Sequence, residues 1–470
     1  MKHSMTMMAK LVWMMALSAS AFAARADGLK LPETARFTLD NGVEVILARK
    51  ADVPLVAARI AIRGGALTDA AGKEGSAALL AELLGKGAGS RDAKAFVDAA
   101  ADVGGMLSFS ASREALLVSA DFLAADSGLM LDLIADALLR PKLPQEEFAK
   151  LRERAINSIV AAKDSGGRGL IGAYAQAWTF RKHPYGRPVE GDERSLAAIG
   201  TDDIAAYFRD QVGADRAIIS IVGDIDIAAM RARIERDFSN WPRARGELPQ
   251  VPTALRENAT RVLLVDKPGS AQSYFTIGNV GAAVGDPQEA AQDLVSTVFG
   301  GRFTSMLNTE LRVKSGLTYG ARAAISRYAT PGMASFTSFT RTAATEQALD
   351  LALAVQKRLH EQGIDAATLE SAKRYVRGQF APEYETAAQV AGALADLALY
   401  GQNAEQIEGY ADRIDAVTLA QANAARSVFP QASSNLIVVI GDAAKIGDAV
   451  AKYGPVTRIK ITDPGFAPAP

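Results

Sequence analysis

Short runs of alternating apolar and polar residues are followed, several times along this chain, by longer runs at helical spacing. Residues 55–62 are predicted as a strand, and two further runs, 106–110 and 116–120, alternate as half-buried strands do. Four runs carry apolar residues at helical spacing: 76–84, 92–103, 127–139 and 145–162. For the second helix, Ser90 is the predicted N-cap and Gly104-Gly105 the stop. Strands and helices mixed in this way predict an α+β fold, a mixed and mainly antiparallel sheet with helices on one face.

The same unit occurs twice. Residues 41–47 are a turn followed by an alternating strand, and residues 260–266 have a similar strand pattern. Further on, residues 217–224 (AIISIVGD) match residues 435–442 (NLIVVIGD). Asp224 and Asp442 are 218 positions apart, and the same offset carries Ile46 onto Leu264. A repeat of this length predicts two homologous α/β-sandwich halves in tandem.

A proline-rich segment marks the boundary between the two halves. Three prolines lie between residues 240 and 252, with polar neighbours, as in an extended linker. We therefore predict an N-terminal half over 27–241, a linker over 242–258 and a C-terminal half over 259–470.

Residues 1–26 have the pattern of a secretory signal peptide. Lys2 and Lys10 precede an apolar run from Leu11 to Ala23, and small residues suit cleavage after Ala23 or Ala26. The apolar run is shorter than the ~20 residues that span a bilayer, and no later stretch is long and apolar enough to do so. We predict export and no membrane span after cleavage. The absence of cysteine favours the periplasm over a eukaryotic extracellular space.

The charges are nearly balanced, with 52 basic and 53 acidic residues. Cleavage after Ala23 would remove Lys2 and Lys10, leaving 50 basic residues against 53 acidic ones. This balance argues against nucleic acid or an anionic membrane surface as the main partner.

Several motifs follow one another in a specific order. They are residues 39–47 (LDNGVEVIL), Arg63-Gly-Gly65 before the helix at Gly75, His183-Pro-Tyr-Gly186, Val222-Gly-Asp224, and residues 300–308 (GGRFTSMLN) continuing into 311–320 (LRVKSGLTYG). In this order and spacing, from about Phe37 to Asp442, the chain resembles the short bacterial form of the pitrilysin-type (M16) zinc peptidase family. The resemblance implies the tandem fold predicted above and a link to peptide hydrolysis.

The resemblance implies a degenerate zinc site. Inverted zincins carry His-x-x-Glu-His on a helix like that at 75–87, but here Ala78 and Glu82 stand at the histidine positions and Ala81 at the general base. In the family, a third ligand follows another glutamate by seven residues; Glu153 matches that glutamate, which puts Val160 at the ligand position. The chain has no cysteine, and His183 and His360 are far apart. We expect no metal or other cofactor in this chain.

A second functional element of the family is present. Some family enzymes use an arginine and a tyrosine from the other homologous half, and Arg312 and Tyr319 match this pair. Residues 307–313 are predicted as a helix and 317–320 as the start of a strand. The pair could donate hydrogen bonds to a carbonyl oxygen that becomes negative in the tetrahedral intermediate. Alternatively, Arg312 pairs with Glu310 or another carboxylate and Tyr319 is a core residue.

The resemblance leads to two hypotheses about function. In the first, the chain is the zinc-free subunit of a heterodimeric periplasmic metallopeptidase, and a homologous partner with His-x-x-Glu-His holds the zinc. Peptide substrates would then add a strand to a sheet edge, with Arg312 and Tyr319 facing the partner's zinc. In the second, the chain is a catalytically inactive peptide-binding or structural scaffold protein. Fold alone does not separate the two.

Overall fold

The computed structural model describes residues 29–468, so the predicted signal peptide lies outside the described residues. The strands of the described range are β1 Thr34–Thr38, β2 Glu44–Arg49, β3 Leu55–Arg63, β4 Met106–Ala111, β5 Ala115–Leu123, β6 Ala217–Gly223, β7 Arg261–Asp266, β8 Gln272–Val280, β9 Ala321–Ile325, β10 Met333–Arg341, β11 Leu436–Gly441 and β12 Val456–Lys460.

Helices of the N-terminal half are α1 Ser76–Leu84, α2 Ala93–Ala101, α3 Ser127–Leu139, α4 Gln145–Asp164, α5 Ile171–Phe180, α6 Glu193–Ala198, α7 Thr201–Gln211 and α8 Ile227–Phe238. Those of the C-terminal half are α9 Glu289–Ser296, α10 Met306–Asn308, α11 Thr345–Gln362, α12 Ala366–Phe380, α13 Ala387–Leu399, α14 Glu405–Glu408, α15 Tyr410–Ala416, α16 Leu419–Ala425 and α17 Ala443–Ala451. Two π-helical segments, Thr297–Gly301 and Thr309–Lys314, continue α9 and α10. None of the described helices is long and apolar enough to cross a membrane.

The strands form two six-stranded mixed sheets, one in each half. Their orders are β1-β2-β6-β3-β5-β4 and β12-β7-β11-β8-β10-β9. In the first sheet only β2 and β6 are parallel; in the second, β7 is parallel to both β11 and β12. The prediction of an α+β fold with two homologous halves is confirmed. The two sheets differ in the strand at one edge. In the first sheet this is β1, from the start of its half, and in the second it is β12, from the end of its half.

Strand pairing corrects the alignment of the two halves by one residue. Gly223 and Gly441 are 218 positions apart, but their partners Arg49 and Asp266 are 217 apart. The counterpart of Ile46 is therefore Leu263, and the predicted match to Leu264 is wrong. Successive side chains of a strand point to opposite faces of the sheet. A shift of one residue in the alignment therefore moves every matched side chain of β7 to the opposite face of the sheet.

Each sheet is covered on its second face by a helix from the other half. Helix α13 of the C-terminal half packs on β3 and β6, and its Val390 and Leu394 belong to the same apolar cluster as Ile218. In return, α5 of the N-terminal half packs on β8 and β11, and Trp178 belongs to the same apolar cluster as Val438. The sequence predicts helices on one face of each sheet. In the structure the other face of each sheet is also covered, by one helix from the other half.

A buried carboxylate also connects the halves. Glu114, at the N-terminal side of β5, accepts hydrogen bonds from the hydroxyls of Tyr185 (2.6 Å) and Tyr400 (2.8 Å). It also accepts from the Ala329 amide at 3.1 Å. Burial, followed by the bond to Glu114, raises the pKa of Tyr185 to about 12. Two of these donors belong to the C-terminal half, so the network ties the halves together.

The last residues of the described chain return to the N-terminal half. Phe466 is buried with its ring edge-on to Tyr174, at 5.2 Å between centroids. The buried ammonium of Lys163 pairs with Glu193 and donates to the carbonyl of Asp463 at 2.8 Å. We call residues 461–466 the C-terminal strap.

Two local predictions are wrong. Helix α2 begins at Ala93 with Asp92 as its N-cap, because the Asp92 carboxylate and not Ser90 accepts from the Ala95 amide, at 2.8 Å. Residues 317–320 are not the start of a strand, since β9 begins at Ala321. The segment between α8 and β7 contains no helix or strand.

Candidate functional site

Helix α1 is the element on which the family resemblance places the zinc site. Gly75, with φ of 98°, turns the chain into it, and nearly every residue of the helix is buried. The carboxylate of Asp69 accepts from the amides of Gly75 (2.8 Å) and Ala77 (2.9 Å), which have no partner within the helix. Burial raises the pKa of Asp69 to about 7. A buried acid thus caps the helix.

The degenerate positions on α1 differ in exposure. Ala78 and Ala81 are buried, whereas Glu82 is exposed and lines a cavity of about 660 Å³ between α1, α4 and α5. Most of the cavity wall is apolar, and Phe466 of the C-terminal strap forms part of it. We call it the α1 cavity.

Val160 lies away from the α1 cavity. Its side chain is 45% exposed, and the residues of α4 that face the cavity are Leu151, Arg154, Ala155, Ser158, Ile159 and Ala162. Positions two apart on a helix do not share a face, so Val160 and Ser158 point in different directions. Two pairs of α4 residues with seven-residue spacing line the cavity with Glu82: Leu151 with Ser158, and Ala155 with Ala162. Val160 is therefore not among the residues that face Glu82 in this cavity, and Ser158 and Ala162 are the cavity-lining alternatives for the third ligand position.

The residues of the α1 cavity do not fit a zinc ion. Zinc sites in proteins use three or four imidazole, thiolate or carboxylate groups at about 2 Å. Two lining residues, Glu82 and Glu190, carry such a group, which is fewer than a zinc site needs, and Ala78, Ala81 and Ser158 carry none. Elsewhere in residues 29–468, no three histidine, cysteine or acidic side chains are grouped so as to hold a metal.

Arg312 and Tyr319 come together on the C-terminal half. Both line an open cavity of about 530 Å³, together with Phe339 and Arg341 from the end of β10. Tyr319 is 80% exposed, in the loop that precedes β9. Arg312 lies in the π-helical segment Thr309–Lys314, a type of distortion frequent at functional sites. We call this the Arg/Tyr cavity.

The structural alternatives for the pair do not match the geometry. Glu310 is engaged by Lys314 (3.1 Å) and Arg358 (2.9 Å) instead of Arg312. The Arg312 guanidinium lies over the ring of Phe303, 4.9 Å from its centroid, and forms no ion pair with a described residue. Tyr319 is a surface residue and not a core one. Both donors are therefore free to contact a ligand or another chain.

The Arg/Tyr cavity and the α1 cavity share no lining residue. Within one chain, therefore, the donor pair does not complete the degenerate site. The sequence had not pointed to Ser158, Phe303, Phe339 or Arg341 as part of either site. For Ser158, a signal was present in the helical spacing that it shares with buried Leu151.

Two family descriptions match most of the chain. Residues 44–193 match "Insulinase (Peptidase family M16)", and residues 198–376 match "Peptidase M16 inactive domain". The first range contains α1 and the second contains Arg312 and Tyr319.

Curated relatives and solved structures agree with this assignment. An uncharacterized zinc protease of Bacillus subtilis, YmxG, is 25% identical over 73% of this chain and 82% of its own length. One from Mycobacterium leprae is 25% identical over 83% and 87%. A crystal structure from Pseudomonas fluorescens, described as a peptidase M16 inactive domain, has a TM-score of 0.81 at 22% identity, covering 87% of this chain and 98% of that one. The structural likeness extends to the whole tandem fold.

Proposed function

Because the chain belongs to peptidase family M16, we propose that it is the zinc-free subunit of a heterodimeric periplasmic metallopeptidase. A homologous partner that carries His-x-x-Glu-His would hold the zinc ion and the general base. This chain would supply Arg312 and Tyr319 to bind the peptide and to stabilise the transition state at the partner's zinc. It would itself need no cofactor.

The observation that carries this proposal is that Arg312 and Tyr319 line the same open cavity. A guanidinium and a phenol that line one open cavity, without a carboxylate partner among the described residues, are positioned to act on something outside the chain. Both side chains carry hydrogen-bond donors. Donors of this kind stabilise the negative oxygen of a tetrahedral intermediate. A scaffold without catalytic function would have no need of an exposed donor pair at this place.

The test is co-expression with a homologous chain that contains His-x-x-Glu-His, such as one encoded beside it, and an assay with quenched fluorescent peptides. We expect Tyr319→Phe and Arg312→Ala each to lower turnover about a hundredfold, since one oxyanion donor is worth ~3 kcal/mol. The complex should stay intact, and for Tyr319→Phe the KM should change less than kcat, because the bond strengthens in the transition state.

Matched controls are available on the same half. Lys314→Ala removes a neighbouring exposed cation, and Tyr453→Phe removes a hydroxyl bonded to Asp350; both should leave turnover unchanged. If both Arg312→Ala and Tyr319→Phe retain full turnover in an intact complex, the chain is better described as an inactive peptide-binding or structural scaffold protein.

The periplasmic location is tested separately. The mass of the mature protein, purified from a periplasmic fraction, should correspond to a chain that begins after Ala23 or Ala26. A protein that retains Met1 in a membrane fraction would contradict export with cleavage.

A further inference from the structure

The Arg/Tyr cavity is lined by cations and by no carboxylate. None of its lining residues is an aspartate or a glutamate, whereas two of them, Arg312 and Arg341, are arginines. Arg341 is exposed at the end of β10 and, like Arg312, has no side-chain hydrogen bond or ion pair with a described residue. The cavity therefore carries positive charge that no carboxylate of the described residues balances by direct contact.

Strand pairing positions Arg341 in this cavity. Arg341 lies opposite Gln272 of β8, which also lines the cavity. Successive side chains alternate between the faces of a sheet, so Arg341 shares a face with Phe339, roughly 7 Å away along β10. Between them, the hydroxyl of Thr340 donates to the carbonyl of Leu317 at 2.7 Å. This hydrogen bond ties the loop before β9 to the strand that carries Arg341.

A third arginine comes from the N-terminal half. Arg168 begins the short 3₁₀ turn Arg168–Leu170 that follows α4, and its guanidinium lies over the ring of Phe339, 4.9 Å from the centroid. Arg168 is exposed and has no side-chain hydrogen bond or ion pair with a described residue. A guanidinium that stacks on a ring uses its face, so the N–H donors at its edge remain available. The same is true of Arg312 over Phe303.

This arrangement of charge is complementary to a carboxylate. A cleft lined by charges of one sign concentrates ions of the opposite sign. The fork of N–H donors on a guanidinium matches the two oxygens of a carboxylate, which it can bind through two parallel hydrogen bonds. In a peptide, carboxylates occur on aspartate and glutamate side chains and at the C-terminus. A peptide that enters the cavity is therefore attracted most strongly when it carries one of these groups.

We propose that the Arg/Tyr cavity recognises a carboxylate of the peptide substrate, which Arg341 binds and Arg168 supports as a second cation. Arg312 and Tyr319 remain available for the carbonyl oxygen of the bond that is cleaved. Because Arg341 lines the same cavity as this donor pair, the recognised carboxylate lies close to the scissile bond. The inference rests on the proposed function and adds the substrate class, acidic peptides.

Binding is measured first on the isolated chain, by calorimetry, with three acetylated seven-residue peptides of alanine and threonine. One has a central glutamate and an amidated C-terminus, one a central glutamine and an amidated C-terminus, and one a central glutamine and a free C-terminal carboxylate. We expect one of the two acidic peptides to bind about fivefold more tightly than the neutral one, the upper range for an ion pair open to solvent. The tighter of the two identifies the source of the carboxylate. Equal affinity for all three, or no measurable binding of any, overturns the inference.

Variants assign the preference to its residues. Arg341→Gln should abolish the preference for the acidic peptide and Arg168→Gln should reduce it. The control Arg322→Gln removes an exposed arginine of β9 that does not line the cavity, and it should leave the preference unchanged. Arg341→Glu should reverse the preference, so that a peptide with a central lysine binds more tightly than one with a central glutamate. A purely structural role of Arg341 would instead weaken all peptides alike, and a preference that survives Arg341→Gln overturns the inference.

The complex with a zinc-bearing partner separates this inference from the proposed function. A complex that cleaves the neutral and the glutamate peptide with equal kcat/KM supports the proposed function and refutes acidic selection. An inactive complex whose isolated chain still prefers the acidic peptide refutes the proposed function alone. If Arg341→Glu prevents association with the partner and leaves the peptide preference of the isolated chain unchanged, Arg341 belongs to the subunit interface and the inference is wrong.

Discussion

Replacement of Asp69 by asparagine tests the electrostatics of helix α1. The Asp69 side chain is buried, and its two amide donors hold it at the start of the helix. Burial, the largest effect, raises its pKa from 3.8 to about 7, and the two backbone hydrogen bonds oppose that shift. Asparagine has nearly the same shape and does not titrate, so Asp69→Asn removes the proton equilibrium while it retains one acceptor.

The sign of the pH dependence follows from the raised pKa. The folded protein binds this proton more tightly than the unfolded chain does, so the stabilisation is complete below pH ~4 and is lost as pH rises through the folded value of about 7. Integrating between pH 5 and pH 8 gives a loss of about 2 to 3 kcal/mol, at 1.36 kcal/mol for each unit.

The assay is urea unfolding of wild type and Asp69→Asn at pH 5 and at pH 8. We expect the stability difference, wild type minus variant, to fall by about 2 to 3 kcal/mol between these pH values. Groups common to both proteins cancel in this difference. The control is Asp92→Asn, since Asp92 caps α2 in the same way but is exposed, and its difference should stay constant. A difference for Asp69 that is constant, or that grows with pH, would refute the assignment of burial as the dominant effect.

Three further outcomes are expected. With histidine at positions 78 and 82 and glutamate at 81, zinc affinity measured by calorimetry should rise when Ser158→Glu is added and stay unchanged with Val160→Glu, because Ser158 lines the α1 cavity and Val160 does not. Glu114→Gln should lower the free energy of unfolding by about 1 to 3 kcal/mol, because the glutamine side chain has one acceptor oxygen for the three donors that Glu114 accepts from. The exposed Glu385→Gln should leave the free energy of unfolding unchanged. Phe466→Ala should cost about 3 kcal/mol, and the 82% exposed Leu255→Ala almost nothing, in thermal unfolding.

The periodic segments of the fold could be predicted from the sequence. The ranges 76–84 and 127–139 coincide with α1 and α3, because apolar spacing and clear boundaries define both helices. The exchange of α5 and α13 was not foreseen. Both helices are rich in small and apolar residues around their whole circumference, which indicates burial on all sides, but the pattern does not say which sheet covers them.

Registers were harder to predict than elements. Leu263 and Leu264 are the same residue type, so a comparison of the two halves could not choose between them, whereas strand pairing does. The assignment of Val160 followed from one matched glutamate, Glu153. Arg312 and Tyr319 could be proposed from their motif, but their common cavity depends on a turn between a π-helical segment and β9 that residue spacing does not specify.

The reciprocal placement of α5 and α13 makes each half part of the other's interior. A break in the peptide chain within residues 242–258 would separate two fragments, each of which would expose the sheet face that its missing helix normally covers. Such fragments should be insoluble when produced singly and should reassemble when produced together. We therefore expect the tandem repeat to unfold as one cooperative unit, and a single copy of the unit to need association with a second copy to cover its sheet.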